Sequence, residues 1–179
     1  MSLVEIILLA IALSIDACVV SFTYGLVIEK KKRLNSLLLA LFTGFFQFAM
    51  PLLGYYFVSL LHKYIEAFAC YIVFAIFTYL GVKFIKEAFE EDKNAPVCLG
   101  AGCLFMIAVA TSIDAFAAGV SIRLCEAPLM FSAVLIGAVT FVNSLLGFWG
   151  GFVLKKFPPK YLEIIAGMIL IGLGVKALF

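Results

Sequence analysis

Charge is what this sequence has least of. Only 13% of its 179 residues are Asp, Glu, Lys or Arg, about half the ~25% usual in soluble domains. Hydrophobic residues reach 65% and the mean hydropathy is +1.19, which excludes a water-soluble globule. Histidine occurs once, as His62 at a loop edge, where it reads as interfacial. The five cysteines (Cys18, Cys70, Cys98, Cys103, Cys125) are dispersed and form no CxxC pair. That argues against a disulfide framework and against a dedicated zinc or copper centre, and leaves them as small packing residues. A basic stretch is missing from the N-terminus too. Glu5 stands where a leader would carry lysine, so the first apolar run reads as a span and not as a cleaved signal.

What is present is a series of apolar blocks, at about 3–28, 36–62, 66–86, 98–122, 128–154 and 160–178. Each approaches or exceeds the roughly 20 residues a bilayer crossing needs. The expected fold is all-α: a polytopic membrane protein with six transmembrane helices. It forms a single transmembrane domain over 1–179 with no room for a soluble one. The 19 Phe and 7 Tyr supply lipid-facing bulk and packing. Ten of the 13 basic residues fall on one side: Lys30, Lys31, Lys32 and Arg33; Lys83, Lys86 and Lys93; Lys155, Lys156 and Lys160. Only Lys63, Arg123 and Lys176 fall on the other. Basic loops stay in the cytoplasm, so both termini are expected outside. The acidic run Glu87, Glu90, Glu91, Asp92 reads as a solvated loop.

Two carboxylates break the apolar pattern in the same way. Ser14-Ile15-Asp16-Ala17 recurs as Ser112-Ile113-Asp114-Ala115. A charge at bilayer depth costs at least ~2.5–3.5 kcal/mol. Other pairs follow in order. Leu52-Leu53-Gly54 recurs as Leu145-Leu146-Gly147, Lys63-Tyr64-Ile65-Glu66 as Lys160-Tyr161-Leu162-Glu163, and Leu80-Gly81-Val82-Lys83 as Leu173-Gly174-Val175-Lys176. The chain therefore reads as two copies of a three-span unit, over 1–90 and 98–179, with a linker at 91–97. Three is odd, so the second copy enters from the opposite side and the repeats are inverted. In such folds the site lies at mid-membrane on the repeat interface.

At 100° per residue, Ala10, Ser14, Ala17 and Ser21 share a stripe, as do Ala108, Ser112, Ala115 and Gly119. These suit close helix packing. The aspartates lie on another face. Asp16 is flanked by Ala12 and Thr23, and Asp114 by Ala110, Ala117 and Ser121. Neutral oxygens stand near the middle of the second and fifth spans: Gln47, Thr140 and Asn143. Pro51 deprives the Gln47 carbonyl of its helical hydrogen bond, which leaves either a kink or an oxygen open to an ion. Glu66 and Glu163 open the third and sixth spans, where an acid suits the helix dipole. Two carboxylates with neutral oxygens fit a hard or borderline divalent cation, with Asp16, Asp114, Gln47, Asn143 and Thr140 as candidate ligands. Thr23, Ser121, Thr111 and Glu163 are candidate pathway residues. Cation release coupled to proton uptake is the expected exchange.

These residues carry a resemblance. The stretches Leu13-Ser14-Ile15-Asp16-Ala17, Ala110-Thr111-Ser112-Ile113-Asp114-Ala115, Met50-Pro51-Leu52-Leu53-Gly54 and Gly167-Met168-Ile169-Leu170-Ile171-Gly172-Leu173-Gly174 resemble the MntP-type manganese efflux pumps of the lysine-exporter superfamily. The resemblance spans essentially the whole chain. It implies Mn²⁺ export across the cytoplasmic membrane, with Asp16 and Asp114 as key residues. It implies no enzyme activity, and Mn²⁺ as cargo and not cofactor. The expected partners are Mn²⁺ and the lipid bilayer, with no nucleic acid; a homo-oligomer is compatible. The chain departs from the family's pattern at Cys18 (usually Phe), at Tyr24 (Lys in some members) and at Gln47 (Glu in some members). Rival readings are an exporter of cadmium or of an amino acid, a membrane scaffold, and an intramembrane aspartyl protease. For the last, the GxGD pattern is lacking before Asp114.

Overall fold

The computed structural model describes residues 1–27, 32–60, 69–87, 101–153 and 160–176. All regular structure among them is helical: α1 Leu3–Val27, α2 Lys32–Ser59, α3 Ala69–Glu87, α4 Ala101–Ala110, α5 Ile113–Leu124, α6 Leu129–Val153 and α7 Lys160–Lys176. Among the described residues, three helical stretches are long and apolar enough to cross a membrane: Leu3–Gly25, Lys32–Ser59 and Leu129–Gly151, of 23, 28 and 23 residues. The helices are apolar on the outside as well as inside. Phe45, Tyr56, Tyr79, Met106 and Leu146 are all more than 60% exposed. In water such a surface is unfavourable; in hydrocarbon it is the matched one.

Small residues set how the helices meet. The antiparallel pair α2 and α6 cross at Gly44 and Gly137, where a Cβ on Gly137 would lie 2.8 Å from the Phe48 Cβ. Beside that crossing Thr43 Oγ1 and Ser144 Oγ share a 2.9 Å hydrogen bond. α1 runs parallel to α6, with Ser14 facing Asn143, Cys18 facing Gly147 and Phe22 facing Gly151. α5 runs parallel to α2, with Thr111 at its start bonded to Gln47 and Arg123 near its end bonded to Ser59, and between them Phe116 and Gly119 pack against Gly54 and Pro51. Gly54 meets Phe116 and Gly147 meets Cys18, positions that the sequence offsets of 93 and 98 carry into one another. α3 packs on α7, and together they close over α1 and α5 around Leu9, Leu13, Phe77, Leu80, Ala118, Ile122 and Leu170.

One end of the bundle is drawn together by polar contacts. Lys176 pairs with Glu5, and the N-terminal ammonium donates to the Cys125 carbonyl at 3.3 Å. Arg123 Nε donates to Ser59 Oγ at 3.1 Å, and its guanidinium lies 5.5 Å from the centre of the Tyr55 ring. α5 ends there in a tight turn. Glu126 takes a positive φ of 50°, and the Ala127 N–H reaches back to the Ile122 carbonyl at 3.0 Å, a closure of the Schellman kind.

The fourth apolar block departs from expectation. Sequence predicts one helix through 98–122, and the structure breaks it at Thr111–Ser112, between α4 and α5. There is no Gly or Pro at the break. Side chains compete with the helical ladder instead. Ser112 Oγ donates to the Ala108 carbonyl at 2.6 Å, as does Thr111 Oγ1 at 3.3 Å. The Ala115 N–H, which would continue the ladder to Thr111, is taken by Asp114 Oδ1 at 2.8 Å.

Candidate functional site

The Thr111 carbonyl, at that break, accepts a hydrogen bond from α2. Gln47, fully buried, donates from Nε2 to the Thr111 carbonyl at 3.1 Å and to the Leu13 carbonyl at 3.4 Å. These two carbonyls occupy the same place in the two copies of the motif, one residue before Ser112 and one before Ser14. A single amide group therefore ties both motif stretches together. Asn143 secures one of them further. It reaches from α6 and donates to Ser14 Oγ at 2.6 Å, while that hydroxyl donates to the Ile11 carbonyl at 2.8 Å.

Asp114 is 2% exposed, in the first turn of α5, and Asp16 in α1 is half-buried. The stretches that carry them are joined through Gln47, which bonds the residue three before each aspartate. Gln47 Oε1, Asp114 Oδ2 and Thr140 Oγ1 are buried without a hydrogen-bond partner, as are Ser21 Oγ and Thr78 Oγ1. A buried polar atom left unpaired costs about 1–3 kcal/mol. Three of these oxygens belong to residues nominated from sequence, and Thr140 is the position that the 93-residue offset relates to Gln47. Two carboxylates and unpaired neutral oxygens are the donor set of a hard or borderline cation. Among the described residues, no group of three or more His, Cys, Asp or Glu side chains comes together.

The pathway candidates fare differently. Thr23 Oγ1 donates to the Val19 carbonyl at 3.2 Å and Ser121 Oγ to the Ala117 carbonyl at 3.3 Å, each spent on its own helix. Thr111 contributes its carbonyl to the Gln47 bridge, and its hydroxyl turns back to Ala108. Glu163 lies in α7, where its side chain is outside the described residues, as are Glu66 and His62. A cavity sits apart from the aspartates, at the drawn-together end, lined by Met1, Glu5, Phe77, Cys125, Leu173 and Lys176.

Sequence reasoning missed Lys83. It reads as one of the basic residues of the third connection, yet it lies within α3, half-buried, on the helix that packs against α5. The available signal was its spacing: it stands two turns beyond the half-buried Ile76, on the flank of the buried stripe Val73, Phe77 and Leu80.

Comparison with known proteins follows the same direction. The sequence model of a family described as "Putative manganese efflux pump" matches residues 29–178. A protein of Methanosarcina mazei named "Putative manganese efflux pump MntP" is 39% identical over 179 residues, 99% of this chain and 96% of its own. One of the same name from Parabacteroides distasonis is 39% identical over 180 residues, 98% of this chain and 95% of its own. No solved structure matches.

Proposed function

Because this chain belongs to the family described as "Putative manganese efflux pump", we propose that it exports Mn²⁺ across the cytoplasmic membrane through a site between Asp16 and Asp114. The observation that carries this reading is the Gln47 bridge, one amide bonded to both Leu13 and Thr111, each three residues before its motif aspartate. Asp16 and Asp114 supply the two charges that neutralise Mn²⁺ in a medium of low dielectric. Gln47 Oε1 and Thr140 Oγ1 supply neutral oxygen, and Asn143 positions the first motif through Ser14. The departing cation is exchanged for protons.

The architecture belongs to the same reading. α4 and α5 together make one interrupted span, so the chain has six, arranged as two inverted repeats. The axis passes the Gly44–Gly137 crossing, and the paired contacts Gly54–Phe116 and Gly147–Cys18 support it. Interrupted helices at mid-membrane and inverted repeats together suit alternating access. The Lys32–Arg33 end faces the cytoplasm, and both termini face outside.

The test is charge removal at constant size. Asp16→Asn and Asp114→Asn each leave an uncompensated positive charge when Mn²⁺ binds, which is costly in a buried site. In an exporter-deficient host both variants are expected to lose manganese resistance and to accumulate Mn at normal protein levels. Asp→Glu in a pocket beside Ala12 is expected to be intermediate. Full resistance from the Asn variants at normal expression would overturn the reading.

A further inference from the structure

A second group of buried oxygens lies between the aspartates and the Lys32–Arg33 end. Thr43 in α2 and Ser144 in α6, both buried, share a hydrogen bond of 2.9 Å. Ser21 in α1 stands beside them. Gly25 packs on the Phe148 carbonyl, and one turn earlier on each of these parallel helices come Ser21 and Ser144. The repeat gives the same neighbours: offsets of 98 and 93 relate Ser21 and Ser144 to the packed pair Gly119 and Pro51. A serine in an apolar helix ordinarily donates to a carbonyl of the preceding turn, as Ser14 and Ser112 do. Ser21 Oγ does not. It is buried with no hydrogen-bond partner among the described residues.

Packing alone does not require these hydroxyls. On the far side of the aspartates the equivalent positions pack with Gly119, Ile136 and Pro51, which carry no side-chain oxygen. The oxygens therefore mark one direction. They lead from the Lys32–Arg33 end toward Gln47, one turn beyond Thr43, and Asn143, next to Ser144. About one turn the other way, Tyr24, Leu39 and Phe148 are buried in one apolar cluster. A divalent cation gives up water only where other oxygens replace it. Neutral hydroxyls do this without adding a charge that would hold the ion back.

We infer that Ser21, Thr43 and Ser144 line the cation's path between the cytoplasm and the aspartates, their oxygens replacing water as the ion passes. Tyr24, Leu39 and Phe148 close that path in this structure. The inference rests on the proposed site and orientation, and it separates transport from binding. Hydroxyls on a path lower the barrier to the site and not the energy of the ion within it.

The experiment compares wild type, Ser21→Ala, Thr43→Val, Thr43→Ser, Ser144→Ala and Asp114→Asn, purified and reconstituted into proteoliposomes. Equilibrium Mn²⁺ binding and maximal Mn²⁺ flux are both measured. Ser21→Ala, Thr43→Val and Ser144→Ala are expected to bind Mn²⁺ as wild type does. Their flux should fall by roughly fivefold each, the equivalent of one hydrogen bond lost from the barrier. Thr43→Ser keeps the hydroxyl and should keep the flux. Should one variant fail to fold, the others carry the comparison. The direction is read separately, with the native cysteines replaced. Ser21→Cys should react with an impermeant cationic thiol reagent in inside-out vesicles and not in right-side-out ones. Wild-type flux in the hydroxyl variants, binding and flux lost together, or reaction from the outer face or from neither would overturn the path. If Asp114→Asn alone then loses binding, the site stands without it. Equal binding by wild type and Asp114→Asn would overturn the site itself, and this inference with it.

Discussion

A buried primary amide has two donors and one oxygen to place. Gln47 spends its donors on the Thr111 and Leu13 carbonyls, which belong to different helices, and keeps its oxygen unspent. Leucine at this position has nearly the same bulk and no donors. Gln47→Leu is therefore expected to lower stability by about 1–3 kcal/mol, since it removes two buried hydrogen bonds that join α1 and the α4–α5 junction to α2. Mn²⁺ export should fall as well, because the two motif stretches are no longer held to one another. Thermal unfolding in detergent and cellular Mn content check the two effects. A variant as stable and as active as wild type would show that the bridge is incidental. That Gln47 is polar at mid-span was legible in the sequence. Which two carbonyls it joins was not, because that depends on how α1 and the α4–α5 junction dock against α2.

The helices of this protein approach as closely as their glycines permit, and not all glycines are used alike. A Cβ at Gly119 would fall on the backbone of Pro51, on the neighbouring helix, whereas one at Gly102 would meet nothing within 4 Å. Gly119→Ala is expected to cost about 1–3 kcal/mol through overpacking, and to part α5, with Asp114 in its first turn, from α2. Gly102→Ala is expected to be neutral or to gain up to about 1 kcal/mol from helix propensity. Comparing the two melting temperatures in the same detergent tests this contrast. Equal behaviour would mean that the α2–α5 contact is loose. The break at Thr111–Ser112 belongs to this scale too. The Ala110-Thr111-Ser112 stretch carries no helix-breaking residue, so hydropathy reads it as continuous. Three short side chains, each bonding backbone within its own turns, interrupt the ladder cooperatively.

For the whole molecule, the reading makes a prediction about sidedness. In a background with the native cysteines replaced, Glu126→Cys, in the turn between α5 and α6, is expected to react with an impermeant thiol reagent in intact cells. Lys32→Cys, at the start of α2, should react only after permeabilisation. Labelling of position 32 from outside would invert the orientation without touching the site.

Composition alone determined that this is a helical membrane protein. So little charge over so much apolar sequence leaves hydrocarbon as the fitting surroundings for Phe45, Tyr56 or Leu146. Repetition alone singled out Asp16 and Asp114, because a buried charge is too costly to appear twice at matched positions by accident of packing. Tertiary structure decided everything that depends on which way a helix faces. When every face of a helix is apolar, periodicity does not separate lipid from neighbour. The inward face is chosen where glycines let backbones meet, at Gly44 on Gly137 and Gly119 on Pro51. That choice turned Gln47 onto both motifs. It also left Lys83, which reads in sequence as one more cytoplasmic lysine, half-buried on the helix that packs against α5.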